Sequence, residues 1–550
     1  MSGPMKRNAV RAGGATARGP WTLQLLTMVA AVLLFTPGSA RAEAYVSISG
    51  AGSTWSQVAL GAWATDVDKF GIEVNYESTG STNGRQQYIF GTVDYAVSEI
   101  PFQPEETPTR PFAYLPVVAG GTSFMYHLTV AGQRVTDLRL SGDTVTKIFT
   151  GVITNWNDPQ ITADYGKALP NIAIKPVVRS DGSGTSAQFT LYMSKQHPDL
   201  WNAFCQQYMG LTPPCGLTSF YPQFPGSTSQ SGSNGVANYV AASYGEGAIT
   251  YVEYAYALGL GFPVAKVLNA GGYYTAPTAA NVAVALTAAT IKEDLTQELS
   301  GVYNNTDTRT YPLSSYSYMI VPTTTAAPMN ADKGKSLSTF VNYFLCGGQQ
   351  KAEVLGYSPL PINLVEAGFD VVRRIPGFVE PPGGDLAECN NPTFQGGVNV
   401  LLRDAPFPSE CDKAGSAPNC TDAGTPPAET PGATTAPTGP ASGGGAQTAG
   451  PAPGEAGDAA TAAAEQTAAA SAGVDPETGL AFAGDSTDTG VAVASVQDVG
   501  AFRNASAQTR VVYGLTAAEL LLAVLIPPLM AVLLRRRRST IPSNDSGNSS

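Results

Sequence analysis

Three stretches of the chain set glycine and hydroxyl residues directly ahead of a helix-forming run. They are Gly50-Ala51-Gly52-Ser53-Thr54, Thr79-Gly80-Ser81-Thr82-Asn83-Gly84 and Arg179-Ser180-Asp181-Gly182-Ser183-Gly184-Thr185. The first amides of a helix have no partner inside it, and the helix dipole adds partial positive charge there. Glycine lets a ligand approach the backbone closely, and hydroxyls add donors. Several such ends aimed at one point make an anion site. Arg179 adds a planar fork suited to oxyanions. A single Ser or Thr at a helix start is an ordinary N-cap, and Asp181 alone reads equally as an Asx-turn residue. The argument therefore rests on the three turns together with the arginine.

The elements that position these turns alternate between strand and helix. Tyr45–Ser49 reads as a strand, Gly50–Thr54 as a tight turn, and Ser56–Phe70 as a helix with Val58, Ala62, Trp63, Val67 and Phe70 at helical spacing. Ile72–Tyr76 is a second strand and Arg85–Phe90 a short helix. A strand at Val93–Ser98 ends at Glu99. Ile172–Val178 then leads through the third turn into a helix over Ser186–Ser194. Such alternation predicts an α/β body over residues 45 to about 372.

Composition excludes several functions. A formal charge of −12 with only 31 Lys and Arg argues against nucleic acid as a partner. Two histidines, His127 and His197, are too few for the zinc and Ser-His-Asp hydrolases that need positioned imidazoles. There is no G-x-S-x-G elbow and no H-E-x-x-H. The reading is a binder rather than an enzyme, with no cofactor and no metal.

Two apolar segments frame the body. A basic start, an apolar stretch at Leu25–Phe35 and the small run Ser39-Ala40-Arg41-Ala42 have the form of a secretory signal covering 1–42. Near the other end, Leu515–Leu534 is largely apolar and is followed by Arg535-Arg536-Arg537-Arg538. This predicts a transmembrane helix over 511–534 and a cytoplasmic basic tail over 535–550, with the body outside the cell membrane. Residues 412–510 are dominated by Ala, Gly, Thr, Pro and Ser, which predicts a disordered linker. A coil of about 90 residues reaches roughly 50 Å. Residues 374–411 form an extension of unassigned role. Six cysteines suit an exported, oxidised chain, with Cys205–Cys215 and Cys411–Cys420 as nearest-neighbour pairings.

At this point the sequence resembles a known family, the phosphate-binding proteins of bacterial ABC phosphate importers. The resemblance is carried, in family order, by Gly50-Ala51-Gly52-Ser53-Thr54-Trp55, Asn75-Tyr76-Glu77-Ser78-Thr79-Gly80-Ser81, Thr92-Val93-Asp94-Tyr95-Ala96-Val97-Ser98-Glu99, the Arg179–Ser186 run, Gly247–Ala255 and Tyr311–Tyr316. It implies a two-lobed type II clamshell of the periplasmic-binding-protein kind, acting as a monomer. Lobe I would be 45–118 plus 314–373, and lobe II 119–313. It also implies inorganic phosphate as ligand and ABC permease subunits as partners. Thr54, Trp55, Ser81, Arg179, Ser183, Gly184 and Thr185 would donate to phosphate, and Asp181 would brace Arg179. The family commonly has Asp where this chain has Glu99. That carboxylate would accept the proton that phosphate carries and sulfate lacks. The competing readings are a binder of sulfate or molybdate, a surface sensor or adhesin, and a secreted phosphohydrolase.

Overall fold

The structure is a computed structural model that describes residues 45–380, 389, 391–395, 398–416, 473–474 and 481–482. The chain divides into two units, residues 1–435 and 436–550. In the second, the described residues form one pair of short strands, Gly473–Val474 with Ala481–Phe482. The leader expected at 1–42, the membrane helix at 511–534, the tail at 535–550 and most of the linker lie outside the described residues. No helix among the described residues is long and apolar enough to cross a membrane.

The first unit is α/β. In chain order its principal elements are β1 (Ile48–Gly52), α1 (Gln57–Asp68), β2 (Val74–Glu77), α2 (Ser81–Phe90), β3 (Tyr95–Ser98) and β4 (Phe112–Tyr126). Then follow β5 (Lys175–Arg179), α3 (Gly184–Gln196), β6 (Thr228–Gln230), α4 (Gly232–Ala241), β7 (Ala248–Glu253) and β8 (Ser314–Pro322). Two later helices, α5 (Ala331–Leu345) and α6 (Ile362–Val372), close the sequence of main elements. The eight strands run in the order β2-β1-β3-β8-β4-β7-β5-β6.

Strand β4 belongs to two half-sheets. Phe112–Gly121 pairs antiparallel with β8, and Thr122–Tyr126 pairs antiparallel with β7. The changeover falls between Gly121 and Thr122. Every residue of this strand after Phe112 is buried, which accounts for its apolar and small composition. On one side, β1 pairs parallel with β2 and β3. A core containing Trp63, Phe340, Phe344 and Leu364 packs against this half. On the other side, β5 pairs parallel with β6 and β7. A separate core holds Phe124, Phe149, Trp156, Phe189 and Trp201. A third, smaller core with Val177, Val236, Val240 and Val252 also serves this second half, so separate cores on the two half-sheets give two lobes with a cleft between them.

The element boundaries differ from the sequence reading in an instructive way. Gly50–Gly52 was expected in a turn but lies in β1, because Gly84 of α2 sits directly on Gly52. A Cβ on Gly84 would stand 2.3 Å from the Gly52 Cα, so small residues in the strand reflect close helix packing. Helices α2 and α3 begin at Ser81 and Gly184, earlier than the expected Arg85 and Ser186. The Gly and Ser residues read as loop are themselves the first helical turns.

The C-terminal extension joins the first two cores. Cys389 is bonded to Cys346 beside the first core, and Thr393 donates to the Leu360 carbonyl at 3.2 Å. Further on, Asp412 pairs with Lys266, Tyr273 donates to Glu410 at 2.9 Å, and Lys413 bridges Tyr273. Residues 412–416, expected in the linker, are thus held against the body by these contacts. The expected Cys205–Cys215 bond is present. Cys411 is also disulfide-bonded, while its expected partner Cys420 lies outside the described residues.

Candidate anion-binding site

Residues of the three hydroxyl-rich turns meet between the half-sheets; two of the turns are helix starts, while Thr54 and Trp55 lie just ahead of the N-cap Ser56 of α1. Ser81, the first residue of α2, and Gly184, the first residue of α3, touch across the cleft: the Gly184 amide donates to Ser81 Oγ at 3.1 Å. Thr82 N–H donates to the Gly182 carbonyl at 3.1 Å. Thr54, just after β1, faces Ser233 near the start of α4, with their hydroxyl oxygens 2.8 Å apart. These contacts hold the two lobes in a closed arrangement.

Unsatisfied donors mark the same place. Among the described residues, the backbone amides of Thr54, Trp55, Ser81 and Thr185 donate to no protein acceptor. The Thr185 hydroxyl is buried and without a hydrogen-bond partner. Buried donors are nearly always paired in folded proteins, so a cluster of free ones requires an acceptor from outside the chain. Ser183 caps α3 by accepting the Ser186 amide at 3.1 Å, which leaves its own proton to donate.

Arg179 ends β5 and is 2% exposed. Its Nε donates to Asp181 Oδ1 at 2.7 Å and its Nη2 to Asp181 Oδ2. Its Nη1 approaches Ser233 Oγ at 3.4 Å. A guanidinium has five N–H groups, so about two remain for a ligand. Burial by itself would raise the Asp181 carboxyl, but the Arg179 hydrogen bonds and charge outweigh it and hold the group below the usual range. Asp181 also accepts the Gly232 amide at 2.8 Å, tying the arginine to α4.

Glu99 follows β3 and is 1% exposed. It accepts the hydroxyl protons of Ser53 and, at 2.6 Å, of Ser81. Burial pushes its carboxyl up, against the lowering effect of these two hydroxyls and of Arg179. A Cβ on Gly184 would lie 2.0 Å from Glu99 Oε2, so glycine is required where the helix start meets the carboxylate. Gln188 Nε2 donates to the Glu99 carbonyl at 2.6 Å and fixes its backbone from the opposite lobe.

Hydrogen bonds thus gather Thr54 with Arg179 and Asp181 through Ser233, and Glu99 with Ser81 and Gly184, while Trp55, Ser183 and Thr185 are the immediate chain neighbours of these residues. The Trp55 indole N–H is buried and, among the described residues, has no hydrogen-bond partner. The ring packs edge-on against Tyr357, whose hydroxyl donates to the Trp55 carbonyl at 2.6 Å.

Sequence reasoning missed four participants. Ser53 orients Glu99, Tyr256 donates to the Thr54 carbonyl, and Ser233 links Thr54 to Arg179. Glu253 is a second buried carboxyl, pushed up by burial and, to a smaller extent, by the charge of Glu99. Ser233 was findable: Ser231-Gly232-Ser233-Asn234-Gly235 has the same Gly/Ser helix-start pattern as the other turns.

Comparison with known proteins agrees with this geometry. A family model described as a PBP superfamily domain matches residues 37–347. The phosphate-binding protein PstS of Xylella fastidiosa (strain Temecula1) is 32% identical over 333 residues, covering 60% of this chain and 86% of that protein. PstS of Pasteurella multocida (strain Pm70) is 31% identical over 325 residues, covering 58% and 88%. The phosphate-binding protein PstS 2 of Mycobacterium tuberculosis (strain H37Rv) is 30% identical over 304 residues, covering 53% and 76%. A two-lobed α/β body with free backbone amides gathered between its lobes, in a chain with these relatives, leads to one assignment: the chain belongs to the PBP superfamily, among the phosphate-binding proteins that serve ABC importers.

Proposed function

We propose that the chain captures inorganic phosphate outside the cytoplasm and delivers it to an ABC-type importer. The observation that carries this reading is the set of free backbone amides from Thr54, Trp55, Ser81 and Thr185 gathered around Arg179 and a buried carboxylate. Donors alone would suit any tetrahedral oxyanion. The Glu99 carboxylate adds an acceptor, and phosphate near neutral pH brings a proton to meet it whereas sulfate brings only lone pairs. A site built around one such bond discriminates by about 10⁴ or more. Glu99 takes the place of the family's usual Asp. Its reach to both Ser53 and Ser81 supports retention of the acceptor role despite the added methylene.

Thr54, Ser183 and Thr185 would donate through hydroxyls, and Thr54, Trp55, Ser81 and Thr185 through amides, whereas the Ser81 hydroxyl, expected as a donor to phosphate, is committed to Glu99 and the Gly184 amide to Ser81. Arg179, held by Asp181, would supply charge-assisted bonds. Binding would be favoured in the closed form, because donors on both sides of the cleft share one ligand. Membrane attachment rests on sequence alone: the apolar run Leu515–Leu534 and the arginines after it would hold the body at the outer cell surface.

Calorimetry of the full chain with phosphate, arsenate and sulfate tests the reading. Binding of phosphate and arsenate with weak or absent sulfate binding is the expected result. Preference for sulfate or molybdate would replace the ligand assignment, and indifference to all of them would end it.

A further inference from the structure

Four buried polar atoms around one small cavity have no hydrogen-bond partner among the described residues. They are Thr122 Oγ1, Gln188 Oε1, the Tyr303 hydroxyl and Ser315 Oγ. All four residues line the same cavity, and none of them is more than 8% exposed. The cavity sits at the hinge. Thr122 is the first residue of β4 that pairs with β7, and Ser315 of β8 pairs with Gly120 on the other side of the changeover. Gln188 belongs to α3, and Tyr303 ends the short helix Ser300–Tyr303. We propose that this cavity binds an ordered water, and that the water makes Gln188 a positioning residue for Glu99. The positioning role rests on the phosphate-binding reading; the water site does not.

Chemistry fixes the orientation of Gln188. Its side-chain amide meets the Glu99 main-chain carbonyl at 2.6 Å. A carbonyl can only accept, so the amide nitrogen must lie on that side and the amide oxygen on the other. That oxygen also can only accept, and no donor of the described residues reaches it. Three hydroxyls border the same space, and a water can serve all of these groups because it both donates and accepts. The space open to a water is about 10 Å³. That meets the lower bound of about 10–15 Å³ for one molecule with two to four polar partners. An apolar occupant would leave every one of the four groups unpaired, at the cost of their desolvation. The water would therefore join both hinge strands to α3. Without it, Gln188 Oε1 is bare, and the side chain gains by turning away from the Glu99 carbonyl toward another donor. Glu99 holds its carboxylate against Ser53 and Ser81. Slack in its main chain would displace the acceptor that meets the phosphate proton.

The first test is a crystal structure of the full chain at a resolution that shows ordered solvent. A water within about 3.2 Å of Gln188 Oε1 and of at least two of the three hydroxyls is the expected result. A dry cavity, or the four groups paired with one another, overturns the water site and the role drawn from it. The second test is a pair of double-mutant cycles read by phosphate calorimetry. Gln188→Met keeps the length of the side chain and removes both of its polar atoms, and Gln188→Leu serves if that variant misfolds. The substitution should weaken phosphate about tenfold, the scale of one lost hydrogen bond. Added to Glu99→Gln, it should change the dissociation constant less than about twofold, because the acceptor it positions is already gone. Ser315→Ala, or Thr122→Val in its place, removes one partner of the water and should weaken phosphate about threefold. In the Gln188→Met background it should have less than about a twofold effect. Penalties of equal size in every background would make Gln188 a packing residue and overturn the positioning role, leaving the functional reading intact. If the unmutated chain binds no phosphate, the functional reading fails and the positioning role falls with it, while the water is still judged in the crystal.

Discussion

The most decisive perturbation is Glu99→Gln. The substitution keeps the side chain's length and one acceptor oxygen but replaces the other oxygen with a donor. In the structure Glu99 accepts from Ser53 and Ser81 and is 1% exposed, so no water replaces what the carboxylate loses. A hydrogen bond to a charged group is worth about 1.5–3 kcal/mol. At about 1.4 kcal/mol per decade, losing the bond from the phosphate proton should weaken phosphate about 10- to 150-fold. Sulfate should move the other way, because the amide nitrogen offers it a donor where the carboxylate opposed its lone pairs. The selectivity ratio therefore collapses from both sides. Competition calorimetry with phosphate and sulfate near neutral pH measures it. An unchanged ratio would refute the role given to Glu99, whatever happened to the absolute affinities.

The same carboxyl makes a pH prediction. Burial raises its pKa in the folded chain. As pH falls through that raised value Glu99 gains a proton and resembles glutamine, so selectivity over sulfate should fade at a pH above the ordinary glutamate range; selectivity held well below that range would contradict the assignment. Without ligand, the favourable contribution of neutral Glu99 to folding is present at low pH and is lost as pH rises through the folded pKa, which a thermal-melt series in Glu99→Gln and wild type would detect as converging curves at low pH. Gly184→Ala puts a methyl carbon 2.0 Å from Glu99 Oε2 and 2.6 Å from Ser81 Oγ, and is expected to abolish measurable phosphate binding in the same calorimetric assay while the chain still folds. Arg179→Lys cannot reproduce the two bonds to Asp181 and should cost about 100-fold in affinity, measured by titration. Replacing Cys346 and Cys389 with serine opens a loop of sequence separation 43 and should lower unfolding stability by about 2–4 kcal/mol by denaturant titration, with phosphate affinity little changed.

Much of the site was legible because its chemistry is local. A glycine followed by a hydroxyl at a helix start exposes amides whatever the rest of the chain does, and Arg179 and Asp181 are close enough in sequence to pair within one turn. The alternation of strands and helices came from periodicity alone. Boundaries were less visible, since Gly50–Gly52 and Ser81–Asn83 carry turn-like composition and are strand and helix only because α2 packs onto β1.

What the order of residues determined by itself was the set of donors, the presence of one distinct carboxylate and the α/β alternation that holds them. What the tertiary structure alone decided was their meeting: Ser81 and Gly184 are 103 positions apart, and Thr54 and Ser233 are 179 apart, yet each pair is in hydrogen-bond contact. The physical reason is that a helix start points its amides along its own axis, while the crossing of β4 between two half-sheets sets where those axes intersect. Sequence spacing carries no information on that crossing, and so the contacts of Ser53 with Glu99 and of Tyr256 with the Thr54 carbonyl emerged only from the folded chain.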